Sequence, residues 1–374
     1  MKITRIYNIA DHLESNKALI IYGPRQIGKT TLVKNFLAKT KLKYRFDIGD
    51  NISIQNLLSI PDLKTLEEYV ADNQIIVIDE AQNIKNIGKS LKLIIDMIPN
   101  IKILVTGSSS FELSGQIGEP LTGRKTTLYL YPIAQLELAK DWNKYDLKQN
   151  LEERLIFGSY PEIITNNNID KRIARLTEIT DSYLFKDILT LEKIKNSQKL
   201  IDLVTLLAFQ IGSEVSQTEL SNKLSIDQKT IARYIDLLEK SFIIYKLRGF
   251  SRNLRNEITK KNKYYFYDTG IRNAVVSNFN KINLRNDIGL LWENFIIMER
   301  IKKRKYHNIY ANNYFWRTWE GQEIDLIEER AGKLYGYEIK WHSKKIKPPA
   351  KWLETYQEAE YKIINRDNYL DFIT

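Results

Sequence analysis

Residues 23–30 read Gly-Pro-Arg-Gln-Ile-Gly-Lys-Thr and fit the pattern G-x-x-x-x-G-K-[ST] without a mismatch. No other stretch of the chain constrains the fold as tightly. A loop of this kind works only between a buried strand and the start of a helix. The apolar run Ala18–Tyr22 supplies the strand, and Thr31–Leu37 has helical apolar spacing. Gly23 and Gly28 let the backbone turn its N–H groups toward phosphate oxygens, and the helix N-terminus adds a positive dipole end. Lys29 can reach the β and γ phosphates, and the Thr30 hydroxyl can bind Mg²⁺. The candidate nucleotide-binding residues are Gly23, Pro24, Arg25, Gln26, Ile27, Gly28, Lys29, Thr30 and Thr31, with ATP and Mg²⁺ as the expected ligands.

A second half of the site follows. Gln74–Ile78 is an apolar strand, continuous enough to be buried on both faces, and it ends in Asp79-Glu80. Asp79 is placed to hold the Mg²⁺ shell and Glu80 to orient or deprotonate an attacking water, so the pair points to hydrolysis. The next strand, Ile101–Val105, runs into Thr106-Gly107-Ser108-Ser109-Ser110. Its polar end is expected between the two phosphate motifs, with Ser108 and Ser109 either sensing the γ-phosphate or simply capping the strand. Further strands are expected at 43–48 and 126–131, giving a parallel α/β sheet over residues 1 to about 140.

The chain is 374 residues long and carries a formal net charge of +11. Residues 246–305 hold fifteen Lys and Arg against five acids, an excess of ten and nearly the whole surplus. Such a concentration reads as a nucleic-acid footprint, whereas codon bias would account for abundant lysine but not for its clustering. DNA is therefore an expected partner. There is no cysteine, no apolar run near the roughly 18 residues of a membrane span, and no signal-peptide layout, which suits a cytoplasmic protein without membrane contact.

Residues 213–247 carry a helix-turn-helix pattern. Ser216–Glu219 reads as a capping box, Ser225-Ile226 as the turn, Asp227 as the next cap, and Lys229 and Arg233 share one face of the second helix. Strands at 242–247 and 263–267 around a basic loop complete a winged helix, with Arg248, Arg252, Arg255, Lys260 and Lys261 in the wing. The alternative is a winged helix used only for packing.

Residues 290–340 offer another site. Glu293 lies on an apolar helix, Gln322–Ile327 alternates as a strand bearing Asp325, and Leu334–Lys340 is a strand that puts Glu338 and Lys340 on one face. Asp325, Glu338 and Glu293 are the candidate oxygen ligands for a second Mg²⁺ or Mn²⁺, and Glu338 and Lys340 the candidate catalytic pair for phosphodiester hydrolysis. An exposed strand face with ordinary charge pairing is the alternative.

Together these motifs resemble a family of bacterial and archaeal ATP-binding proteins with an AAA-type ATPase domain, a winged helix and a C-terminal domain of uncertain function. The resemblance rests on the 23–30 loop, Asp79-Glu80-Ala81-Gln82, Thr106–Ser110, Leu121-Thr122-Gly123-Arg124, Gly158-Ser159-Tyr160-Pro161 and Tyr267-Asp268-Thr269-Gly270. It implies an α/β fold with an ATPase domain over 1–140, a helical segment and winged helix over 141–280, and an α/β restriction-endonuclease-like domain over 281–374 similar to PD-(D/E)xK nucleases. Gln322–Asp325 departs from that pattern in lacking the Pro-Asp pair. The resemblance also implies that Arg124 contacts the γ-phosphate, in cis or from a neighbouring subunit of a homo-oligomer, unless it is a salt bridge holding the strand Lys125–Tyr131. The motifs together point to ATP hydrolysis coupled to DNA binding through the winged helix, with a metal-dependent nuclease domain as a further expectation; the alternative is a nucleotide-driven oligomeric switch or motor acting on protein partners, with an inert nuclease-like domain.

Overall fold

Apolar runs alternating with helical spacing produce a parallel sheet in the first part of the chain. The computed structural model describes residues 3–108, 121–181, 197–250, 261–318, 320–342 and 347–374. They form two compact units, one of Arg5–Tyr131 with Lys240–Phe242 and one of the remaining residues. In the first unit β1 (Lys17–Tyr22), β2 (Tyr44–Ile48), β3 (Ile75–Asp79), β4 (Lys102–Gly107) and β5 (Lys125–Tyr129) alternate with α1 (Lys29–Leu37), α2 (Ile52–Leu58), α3 (Leu63–Val70) and α4 (Ile87–Met97). The strand order is β2-β3-β4-β1-β5, and every pairing is parallel.

The central strands explain themselves from sequence. β3 is buried at all five positions, and β1 from Ala18 onward, because helices cover both faces of a parallel sheet. The loop at 23–30 leaves β1 as expected. Gly23 is required by contact: a Cβ there would stand 2.1 Å from the Leu130 carbonyl oxygen. Gly28 caps α1 at φ +91°, a backbone region that L side chains avoid. The helix begins at Lys29, two residues before the apolar spacing starts, because loop and helix are continuous.

In the second unit β6 (Glu214–Val215), β7 (Ile244–Gly249), β8 (Asn262–Phe266), β9 (Asn312–Arg317), β10 (Glu323–Arg330), β11 (Lys333–Ile339) and β12 (Glu360–Ile364) form one sheet in the order β12-β11-β10-β9-β7-β8-β6. The long helix Ile288–Tyr306 is buried at most positions from Leu291 to Tyr306. The division expected between residues 280 and 281 does not separate two compact units. β7 pairs in parallel with β9 through Arg248↔Tyr314 and Gly249↔Phe315, which joins the β7–β8 hairpin to the β9–β12 strands. Asn143 caps the helix Lys144–Gln149 by accepting from the Tyr145 and Asp146 amides.

The helix pair expected at 213–247 is present as Gln217–Leu224 and Gln228–Lys240. Ser216 accepts from the Glu219 amide at 3.1 Å, but the Glu219 carboxylate accepts from Gln210 and Lys223, so the box is half made. Asp227 caps the second helix by accepting from the Thr230 amide at 2.9 Å. β7 starts two residues later than the apolar run suggests, because Phe242 sits at φ +56° and breaks the extended backbone. The expected wing residues Arg252, Arg255 and Lys260 lie outside the described residues, as does Ser109.

Gly23→Ala should lower the stability of the first unit by about 1–3 kcal/mol, the usual cost of overpacking against backbone. Thermal unfolding checks it, and a variant as stable as the parent would mean that the loop shifts freely away from Leu130.

Candidate functional sites

All five strands of the first unit run the same way, so the loop after β1 and the acids ending β3 emerge at one edge of the sheet. β4 lies between β1 and β3. The Thr30 hydroxyl donates to Asp79 Oδ2 at 2.7 Å. Thr106, near the end of β4, donates to Asp79 Oδ1 through its hydroxyl and accepts from the Glu80 amide at 3.1 Å. Lys29 is buried, and its ammonium donates to the Gly23 and Pro24 carbonyls at 3.0 and 2.9 Å. Burial lowers its pKa, against the pull of Glu80 and Asp79. Glu80 is held at φ +53°, a left-handed conformation that a non-glycine residue adopts only when its surroundings impose it.

Gln82 is a residue that spacing alone did not single out. Its amide nitrogen donates to the Glu80 carboxylate, and its amide oxygen accepts from the Ser108 N–H at 3.2 Å. It therefore ties the acid after β3 to the end of β4. A hard-oxygen pair (Thr30 and Asp79), a buried lysine and a glycine-capped helix start fit Mg²⁺ and a nucleotide triphosphate by the chemistry of their donors.

Arg124 does not join this group. The Ala18 amide donates to the Arg124 carbonyl at 2.9 Å, and Lys125 stands beside Ala18 in the β1–β5 register. Arg124 thus lies at the edge of the sheet where β1 begins, and the phosphate loop leaves the edge where β1 ends. About five residues of strand separate the two edges, roughly 16 Å at about 3.3 Å per residue. The expected cis contact with the γ-phosphate is corrected by this register. Arg124 instead pairs with Asp96 at 2.6 Å.

In the second unit Glu293, Asp325, Glu338 and Lys340 do meet, along a cleft of about 950 Å³. Glu338 near the end of β11 and Lys340 just past it pair at 2.6 Å. The register of β10 shifts between Ile324 and Ile327, and Asp325 sits in that irregularity, accepting from the Ile339 amide at 2.8 Å. The cleft also contains Lys263 from β8, which spacing did not assign to it. Its ammonium lies 2.5 Å from Glu323, 3.4 Å from Glu293 and 4.0 Å from Asp325. Tyr265, two residues on and so on the same strand face, donates to Glu293 at 2.6 Å. That period-two pair was the signal available in the sequence.

A divalent metal does not fit this arrangement. Among the described residues no three acidic or histidine side chains are grouped so as to hold a metal ion. Glu293, Asp325 and Glu338, expected to hold Mg²⁺ or Mn²⁺, come together here around two lysines that offset part of their charge.

The basic stretch 246–305 also reads differently in three dimensions. Lys263, Arg272, Arg285, Arg300, Lys302 and Arg304 are buried. Arg300 and Arg304 pair with Glu328, Arg272 and Arg285 with Asp287, and Lys302 with Glu299. One of these acids, Glu328, lies beyond the window in which the charges were counted, and six of the fifteen cations are buried, so much of the excess is internal and not a surface field. Lys229, Arg233, Arg248 and Lys261 are exposed.

The parallel sheet and the phosphate loop fit a P-loop nucleotide-binding domain, and family comparison is in keeping with this. Residues 15–139 match the family described as AAA domain, while 148–282 and 288–369 match two families each described as a domain of unknown function. The chain is similar to an uncharacterized protein of Mycobacterium tuberculosis, 28% identical over 86% of this chain and 70% of the relative. It is also similar to uncharacterized proteins of Methanocaldococcus jannaschii (27%, 83% and 72%) and Haemophilus influenzae (23%, 84% and 80%). Among the described residues no helix is long and apolar enough to cross a membrane.

Burial, and then the charge of Asp325, raises both Glu293 and Glu338 to about 7 from an ordinary 4.5. The folded protein therefore holds more protons than the unfolded chain between about pH 4.5 and 7, and this contribution to stability is lost as pH rises through that window. Glu293→Gln should flatten the fall of the thermal midpoint between pH 5 and 8. An unchanged slope would contradict the assignment.

Proposed function

We propose that this chain is an ATP-hydrolysing switch. The observation carrying the proposal is the convergence of Lys29, Thr30, Asp79 and Glu80 at one edge of a parallel sheet. Lys29 would bind the β and γ phosphates, and Thr30 and Asp79 would hold Mg²⁺, whose chemistry is to neutralise charge on the transferred phosphate. Glu80 orients the attacking water and accepts its proton. Gln82 positions Glu80 relative to Ser108, so that the state of the phosphate site is felt at the end of β4. Lys29→Ala should abolish turnover in a folded protein. Glu80→Gln should retain ATP binding and lose about 10²–10⁴-fold in kcat, the usual worth of a general base. Full turnover by either variant would overturn the reading.

A second reading concerns what the switch acts on. Lys229 and Arg233 are exposed on the second helix of the pair, beside the β7–β8 hairpin, an arrangement supporting DNA contact in the manner of a winged helix. DNA affinity measured by fluorescence anisotropy should then fall with salt at a log–log slope of about −0.9 per phosphate neutralised. Lys229→Ala/Arg233→Ala should reduce both affinity and slope. Absence of binding at low salt would leave protein partners, including a second copy of the chain, as the switch's targets. In such an assembly Arg124 would have to act on a neighbour's nucleotide, and gel filtration with and without ATP reads that assembly.

A further inference from the structure

The lysine that closes the acidic cleft has a consequence beyond nucleotide hydrolysis. Lys263 is buried and reaches three carboxylates drawn from two elements, Glu293 on the long helix and Glu323 and Asp325 on β10. Its position is doubly enforced. β8 is locked between β7 and β6, and the Phe315 ring lies 5.4 Å from the ammonium. Lys340 takes the remaining acid, pairing with Glu338 at 2.6 Å and Asp325 at 3.6 Å. Four carboxylates thus face two ammoniums. One acceptor is left over: Glu338 Oε2 is buried and has no hydrogen-bond partner among the described residues. The cleft itself is open and large enough to admit an ion and its water.

We infer that Lys263 is a resident cation occupying the place a divalent metal would take, so that the cleft excludes Mg²⁺ and Mn²⁺ in this conformation. A tethered ammonium at these distances competes with a solvated ion for the same oxygens. To bind a metal, the cluster would have to lose Lys263 or move β8. Removing the lysine charge leaves Glu293 with no cation beside it among the described residues, and Glu323 and Asp325 with only Arg317 at 3.8 Å and Lys340 at 3.6 Å, next to the free oxygen of Glu338. Hard oxygens in that number are what Mg²⁺ and Mn²⁺ require. The cleft is then a latent cation site held shut by one side chain, and the chain's nuclease-like acids do not work as a metal centre while Lys263 is in place.

The test is Mn²⁺ binding to the full chain without nucleotide, by isothermal titration calorimetry and by electron paramagnetic resonance of free Mn²⁺. The parent protein should show no saturable site below about millimolar Mn²⁺ beyond whatever Asp79→Asn removes. Lys263→Met should gain a site at least tenfold tighter, and Lys263→Met/Asp325→Asn should lose it again. If Lys263→Met is destabilised, Mn²⁺ should raise its thermal midpoint and leave that of the double variant unchanged, because a ligand that binds only the folded state stabilises it. Tight Mn²⁺ binding by the parent, abolished by Asp325→Asn, overturns the inference. So does a Lys263→Met protein that neither binds Mn²⁺ nor is stabilised by it.

Discussion

A charge removed from water must find an opposite charge or a full set of hydrogen bonds, and this requirement organises both units of the protein. In the first unit Lys29 is folded onto the carbonyls of its own loop with Asp79 and Glu80 nearby. In the second, Arg300 and Arg304 converge on Glu328, which is itself buried, and Lys263 is surrounded by carboxylates. Removing one partner from such a group typically costs about 3–5 kcal/mol, because the other charge is left stranded. Residues that look like surface chemistry in the sequence are therefore part of the interior.

The two candidate sites use buried charge for different ends. At the phosphate loop one lysine faces an edge of the sheet where backbone N–H groups and hard oxygens gather, and an anion of high charge completes the balance. At the acidic cleft Lys263 and Lys340 offset part of the charge of four carboxylates. The first arrangement supports chemistry on a nucleotide.

The first unit was largely legible. The loop pattern, the apolar strands and the acids ending β3 are local features, and parallel strands of a common direction necessarily bring their ends together. Gln82 and Thr106 were harder to assign, because their partners come from neighbouring strands. Arg124 shows the limit of motif reading: its distance from the loop depends on the β1–β5 register, which no local pattern states. The same is true of the basic stretch, whose counter-charges include Glu328, outside the window that made it look exposed.

By itself the sequence determined the nucleotide-binding loop, the parallel α/β character of the first unit and the helix pair at 217–240, because each follows from spacing within a short stretch. Tertiary structure alone decided the rest. The β7–β9 pairing fused the hairpin to the C-terminal strands, and this brought Lys263, distant in sequence, into the acids of β10 and the long helix. Electrostatic compensation is set by distance in space, and only folding specifies which charges become neighbours.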